Sequence, residues 1–182
     1  MHRARAPGQS AQATLRRASR ALDEARRRAS PGLMSEALGA MAHGCRVQRD
    51  QASAEVYLNE ALRWARVAGL ADPIVDLLCE LCEVCAAQSG LEDEAARSHA
   101  GHAACERMHE HAFEASTLAH RVADADCEAK VLMRISEVLE RCGDRDGAVL
   151  LQTRALRLMS GNLACGAPDP SLLPSLGRLA DG

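Results

Sequence analysis

Residues 129–155 read AKVLMRISEVLERCGDRDGAVLLQTRA, and they contain a clear helical pattern on both sides of a glycine. On both sides of Gly143, apolar residues recur every three or four positions: Leu132, Ile135, Leu139, Ala148, Leu151 and Ala155. Apolar residues at that spacing lie on one face of an α-helix, and a glycine between two such segments is typical of a turn. The stretch therefore predicts two helices, over about Cys127–Cys142 and Arg145–Met159, folded together as a hairpin.

Earlier in the chain, the same spacing recurs between glycine and proline breaks. It predicts helices over residues 11–29, 33–47, 54–67 and 74–88. From Glu92 to Asp124 there is no proline and the only glycine is Gly101, so we expect one long central helix over 92–124, with a bend near 109–112. Together these segments predict an all-α fold of antiparallel helical hairpins.

The composition agrees with a helical fold. The chain has 182 residues, about one domain, and it is 47% hydrophobic but only 2% aromatic. Alanine and leucine must therefore build the core. β-Sandwiches and barrels draw on aromatic and β-branched residues, and proteins that bind single-stranded nucleic acid stack bases on aromatic rings, so this composition counts against both classes.

Charge sets the N-terminal segment apart. Residues 1–30 carry eight arginines against Asp23 and Glu24, a net charge of +6 that leaves −9 for the remainder of a chain whose formal charge is −3. We expect residues 1–32 to form a basic helical arm. Attraction to nucleic acid or to an anionic membrane stays open, but a solvated basic helix is the commoner meaning of such a run, so we do not expect a nucleic-acid partner.

Cysteine usage and hydropathy bear on the compartment. Eight cysteines, three of them on the helix predicted over 74–88, are too few and too clustered for a disulfide scaffold, which favours a reducing cytoplasm. No run of 18 apolar residues is present, so we expect no membrane span and no membrane partner. Abundant alanine and arginine, with Lys130 the only lysine, are typical of a GC-rich bacterial genome. Residues 161–182 are rich in proline and glycine and are predicted to form a tail, in which leucines could cover an exposed helix edge.

The unit over residues 129–162 resembles the tetratricopeptide repeat (TPR) family. In that family the first helix has two large apolar residues three positions apart and then a small one, and Leu132, Ile135 and Ser136 match this pattern. Residues 35–68 and 76–109 match the same repeat pattern, and residues 18–25 match the pattern of its second helix only. The resemblance implies that residues 33–160 form a short TPR-like α-solenoid of stacked hairpins, with an unrelated helical bundle as the alternative.

The resemblance also implies a binding site, because in that family the first helix of each hairpin lines a concave groove that binds peptides or helices of partner proteins. Carried over position by position, it assigns nine residues to the groove: Gly39, His43, Arg46, Glu80, Val84, Ala87, Met133, Glu137 and Glu140. This surface is basic at one end and acidic at the other, which suits a partner with both signs of charge. The implied function is a protein–protein interaction module, as adaptor, chaperone or regulatory scaffold.

A second hypothesis, of a different class, is metal binding. The four candidate ligands are Cys79, Cys82, His99 and His102. Folding the chain about Gly90 places the Cys-x-x-Cys pair opposite the His-x-x-His pair on two antiparallel helices. Thiolates and imidazoles in this number suit zinc or copper(I). The alternative is that these positions are packing positions, in which cysteine acts as a small hydrophobe.

Catalytic motifs are missing from the sequence. The chain has no phosphate-binding glycine-rich loop, nucleophile elbow or dinucleotide fingerprint. We therefore expect no enzyme activity and no cofactor. The long helix over 92–124 offers a surface that could pair two copies into a homodimer, and on it we expect His109 and His111 to face solvent.

Overall fold

Seven α-helices make up the computed structural model, which describes residues 7–89, 99–122 and 124–160 and, of residues 7–10, 99 and 100, only the backbone. In chain order the helices are α1 Pro7–Arg27, α2 Pro31–Val47, α3 Gln51–Ala68, α4 Ala71–Ser89, α5 His99–Val122, α6 Ala125–Arg141 and α7 Arg145–Met159. No strand occurs within these described ranges, so the all-α prediction is confirmed.

The helix predictions agree with the structure to within a few residues. α7 has the predicted bounds, whereas α4 begins before the predicted Ile74, because Asp72 and Pro73 are tolerated within a first helical turn. The described part of the long central helix is α5, which is helical throughout, including the position of the expected bend. Residues 92–98 of that prediction, and the tail predicted over 161–182, lie outside the described residues.

Polar caps and glycines set the ends of several helices. Asp50, Asp124 and Asp144 each accept a hydrogen bond from the backbone N–H three residues later, which is the geometry of a helix N-cap. Gly69 follows α3 with a φ of 69°, and Gly143 follows α6 with a φ of 87°, a conformation that glycine adopts without strain. The turns between consecutive helices can therefore be short.

Each helix packs against the next helix in the chain, and α4 also contacts α6. The most extensive contacts are within the pairs α2–α3, α4–α5 and α6–α7, so the chain forms three helical hairpins, with α1 packed against α2. The contact between α4 and α6 brings the first helices of two consecutive hairpins side by side.

The contact between α1 and α2 depends on Gly44. A Cβ atom at this position would lie 2.7 Å from Cδ2 of Leu15 and 2.8 Å from its Cγ, closer than carbon atoms can pack. A larger residue at this position would therefore require the Leu15 side chain to shift.

Small and aliphatic side chains build the core, as the composition predicts. α5 contributes a stripe of buried residues, Ala104, Met108, Ala112, Ala115 and Ala119. α4 contributes leucines, valines and cysteines, and its eight buried residues belong to one large cluster that also contains residues of α1, α2, α3, α5, α6 and α7. A second, smaller cluster lies between α6 and α7 and consists of Ala129, Leu132 and Ala155. None of the helices in the described ranges combines the length and the apolar character that crossing a bilayer requires.

Candidate partner-binding face

Ion pairs join the first helices of the three hairpins. Near the end of α2, the Arg46 guanidinium lies 3.3 Å from Oε2 of Glu80 and 2.6 Å from Oε2 of Glu83, both on α4. On α6, Nε of Arg134 donates a hydrogen bond to Oε1 of Glu83 at 2.7 Å. α4 therefore packs beside α6 and is joined to α2 by the Arg46 side chain, and we call the outer sides of these three helices the α2/α4/α6 face.

Glu83 is the centre of this ion-pair network, because each of its carboxylate oxygens accepts a hydrogen bond from a different arginine. Burial by itself would raise the pKa of Glu83, but the hydrogen bonds and charges of Arg134 and Arg46 outweigh burial and lower that pKa. Burial likewise opposes the charge on Arg134, yet the Glu83 carboxylate outweighs it and raises the pKa of the guanidinium. Glu83 and Arg134 are therefore both ionised at neutral pH.

Eight of the nine predicted groove residues are at least partly exposed. His43, Glu137 and Glu140 are exposed, whereas Gly39, Arg46, Glu80, Ala87 and Met133 are partly buried. The assignment of Val84 to the groove is wrong, because this side chain is completely buried in the main core cluster. The reason is that α4 is enclosed by α3, α5 and α6, which leaves it only a narrow exposed strip.

The sequence prediction missed two members of the network, Glu83 and Arg134. Glu83 follows the predicted Glu80 by three residues and so lies on the same helix face. This spacing could have identified Glu83 from the sequence. Arg134 directly follows Met133, which was assigned to the groove. The pairing of these side chains across helices depends on how the helices pack, and the spacing within one helix does not give that information.

The charges on the face are arranged differently from the predicted gradient. Arg46, the expected basic end, is paired with two carboxylates of α4. On α6, the exposed Glu137 and Glu140 make no ion pair with any described residue, and the exposed Lys130 and Arg141 lie on the same helix. α6 therefore carries exposed charges of both signs.

The described residues do not assemble the four predicted metal ligands. Cys79 and Cys82 are buried on α4, whereas His102 is exposed on α5, and the side chain of His99 lies outside the described residues. The Cys82 thiol instead donates a hydrogen bond to the carbonyl oxygen of Met108 at 3.5 Å. In the part of the chain that the structure describes, no group of three or more Cys, His, Asp or Glu side chains is placed to hold a metal ion.

Burial also changes the acidity of the α4 thiols. It raises the pKa of Cys79 and the pKa of Cys85 to about 11, and it raises the pKa of Cys82 as well, because a thiolate is poorly solvated inside the core. The three thiols are therefore protonated at neutral pH. Since the thiolate is the form that binds metals and attacks electrophiles, these cysteines act as small apolar side chains.

The prediction that His109 and His111 face solvent is wrong. The His109 side chain is only 14% exposed, and its Nε2 lies 3.1 Å from Oδ2 of Asp144. Its Nδ1 lies 2.9 Å from the carbonyl oxygen of Cys105, one turn earlier on α5. His111 is partly buried, and burial lowers its pKa. Because Asp144 also caps α7, His109 ties α5 to the start of the last helix.

Cys105, His109 and Asp144 have the connectivity of a nucleophile, a base and an orienting acid, since Sγ of Cys105 lies 3.7 Å from Nδ1 of His109. The electrostatics oppose that role. Burial, followed by the neighbouring Cys142 and acidic groups, raises the pKa of Cys105, whereas a nucleophilic cysteine needs a lowered pKa. The Nδ1 atom is also closer to the carbonyl oxygen than to the sulfur. The arrangement therefore fits a structural contact between helices.

Comparison with known proteins identifies no related family or curated protein. The chain matches no protein-family model, and a search of curated proteins gives no significant match to its sequence. The resemblance to tetratricopeptide repeats therefore stays a prediction. Functional inference depends on the geometry of the α2/α4/α6 face itself.

Proposed function

We propose that the chain is a protein–protein interaction module, an adaptor or regulatory scaffold of a bacterial cytoplasm, that binds a peptide or helix of its partner on the α2/α4/α6 face. The observation that carries the proposal is the ion-pair network of Arg46, Glu83 and Arg134, which aligns three first helices into one surface. In this proposal the hairpins stack as TPR-like repeats, and the side chains around the network contact the partner.

The network supports binding because it holds the surface in one arrangement before a partner arrives. Arginine and carboxylate side chains lose much rotational freedom when they are ordered, and a surface whose side chains are already ordered avoids that cost on binding. The unpaired charges Glu137, Glu140, Lys130 and Arg141 then contact a partner that carries both signs of charge. Such contacts contribute more to specificity and to association rate than to affinity.

The experiment is a pull-down with the full-length chain from a lysate of the organism that encodes it, followed by a binding titration with the partner that is captured. The test variant is H43A/E137Q/E140Q, whose three sites are exposed on α2 and α6. We expect it to bind about tenfold more weakly, the loss expected for a few rim contacts.

The control variant is E60Q/E110Q/T117A. It removes two carboxylates and one further exposed polar side chain, as the test variant does, but from α3 and α5. We expect it to retain the partner with unchanged affinity. If the control variant loses the partner while the test variant keeps it, the binding surface lies on the second helices and the proposal is wrong.

The metal-binding hypothesis receives no support from the geometry of the described residues. Homodimer formation through the long helix stays a prediction, and sedimentation of the purified chain measures it directly.

A further inference from the structure

α7 carries large apolar side chains on the side that faces solvent. Val149, Leu156 and Met159 are 58%, 61% and 65% exposed. At about 100° per residue, Val149 and Leu156 point in nearly the same direction, and Met159, the last residue of the helix, lies toward the edge of the buried side that carries Ala148 and Ala155. A surface helix normally turns a polar side to water, so an apolar outer side is typical of a helix with a second packing partner. We call these three side chains the α7 stripe.

The size of the α7 stripe argues against a second copy of the chain as its partner. The three side chains extend over roughly 15 Å of helix. A stable dimer buries roughly 800 Å² on each partner and involves about 20 residues or more, and three side chains supply a small part of that area. A single short apolar segment matches the stripe better.

The chain itself contains such a segment. After Ser160 it continues for 22 residues, which contain four closely spaced leucines, Leu172, Leu173, Leu176 and Leu179. The 12 residues between α7 and the first of these leucines span up to roughly 40 Å when extended, more than twice the length of the stripe. The connecting segment is therefore long enough for the leucines to contact the stripe. Attachment to the same chain also gives the segment an effective concentration on the order of 1 mM at the stripe.

The charges near the α7 stripe and near the leucines also support this contact. Arg145 and Arg157, both exposed, lie near the two ends of the α7 stripe. Asp169 and Asp181 flank the leucines, and Arg178 lies among them, so the segment carries two carboxylates against one guanidinium. This small excess of negative charge is complementary to the two arginines of α7.

We propose that the α7 stripe is the docking surface for residues 172–179 of the same chain. The contact covers Val149, Leu156 and Met159 with leucines and uses a surface that the proposed function does not involve. When the segment is displaced, the stripe becomes available to other apolar segments.

The test is photo-crosslinking in the full-length chain. A benzophenone amino acid replaces Leu156, the protein is irradiated, and the crosslinked peptides are identified by mass spectrometry. A mixture of ¹⁵N-labelled and unlabelled protein distinguishes a crosslink within one chain from a crosslink between copies. We expect crosslinks to peptides from residues 168–182 within one chain. The control places the benzophenone at Val67 of α3, which is 68% exposed, and we expect no crosslink to those peptides.

A second full-length variant keeps the proposal testable if the benzophenone disturbs α7. In L172S/L173S/L176S/L179S, we expect the intramolecular crosslink to disappear and the exposed end of α7 to exchange its amide hydrogens about tenfold faster. Crosslinks between copies would assign the stripe to a dimer and overturn the proposal. Absence of crosslinks to residues 168–182, or unchanged amide exchange in the serine variant, would also overturn it.

Discussion

The middle hairpin, α4–α5, and the last hairpin, α6–α7, have the same arrangement of two helices but different cores. α4 buries eight side chains, and α5 packs a stripe of alanines and Met108 against them. α7 buries only Gly147, Ala148 and Ala155, all of them small. The difference follows from position, because α4 is enclosed by three helices, whereas the described helices cover only one side of α7.

Polar contacts attach the last hairpin to the rest of the protein. Arg134 binds Glu83, and His109 binds Asp144. Glu128 is buried at the start of α6 and contacts both Arg154 and His120. These contacts act beside apolar packing, because Ile135, Val138 and Leu139 of α6 belong to the main core cluster. The middle hairpin is therefore held mainly by apolar packing, whereas the last hairpin combines the apolar packing of α6 with directional polar contacts.

The largest expected effect is the loss of a buried leucine in the middle hairpin. Leu81→Ala removes a completely buried side chain of α4 and should lower the free energy of unfolding by about 2–5 kcal/mol. Leu158→Ala removes a partly buried side chain of the α6–α7 cluster and should cost about 1 kcal/mol. Urea denaturation measures both values. Equal losses would contradict the shallower burial of Leu158 on α7.

The next largest effect is a difference in the rate of thiol labelling between the middle and the last hairpin. Because the pKa of Cys79 and the pKa of Cys85 are raised from 9.0 to about 11, their thiolate fractions at pH 8 are about a hundredfold smaller than in the unfolded chain. Mass spectrometry after iodoacetamide treatment should therefore show these two sites reacting at least that much more slowly in the folded protein. The exposed Cys127 of α6 is the internal control and should be labelled in the folded protein. Rapid labelling of Cys79 would contradict the burial of α4.

The same shift in thiol pKa gives a pH dependence. The folded state holds these protons more tightly than the unfolded state does, so the stabilisation is fully present below pH 9.0 and is lost as the pH rises toward about 11. Thermal denaturation between pH 8 and pH 11 measures this loss. In a Cys79→Ala/Cys85→Ala variant the slope should become shallower.

A smaller effect is expected at the ion-pair network. Glu83→Gln leaves Arg46 and Arg134 without their shared carboxylate and should cost about 1–2 kcal/mol, less at high salt. Asp76→Asn is the matched control, because Asp76 is also on α4 and approaches Arg134 at 3.9 Å but is 75% exposed. We expect no measurable change for the control. If both variants behave alike, the network does not position the last hairpin.

The smallest expected effect involves His111. Burial lowers its pKa, so the unfolded state binds the proton more readily than the folded state. Its contribution is fully present above the unfolded pKa of about 6.5 and is lost as the pH falls through that value and below. In urea titrations between pH 7.5 and pH 5, His111→Gln should reduce the slope of stability against pH. An unchanged slope would mean that His111 is solvated in the folded protein.

The sequence was sufficient for the helices but not for their contacts. Apolar spacing and glycine breaks predicted α7 to the residue, because the pattern and the turn signals lie within the same short segment. Burial of Val84 could not be predicted, since it depends on three neighbouring helices. The contacts of His109 with Asp144 and of Arg134 with Glu83 join residues far apart in sequence, and their geometry is set by packing.

Carboxylate footprinting of the complex shows directly whether a partner binds the α2/α4/α6 face. The captured partner is added to the full-length chain, exposed carboxylates are coupled to an amine with a carbodiimide, and each site is quantified by mass spectrometry. We predict that Glu137 and Glu140 are labelled about tenfold less in the complex, while Glu60 and Glu110 on the second helices are labelled equally in both states. Protection of Glu60 and Glu110 with full labelling of Glu137 and Glu140 would contradict the claim.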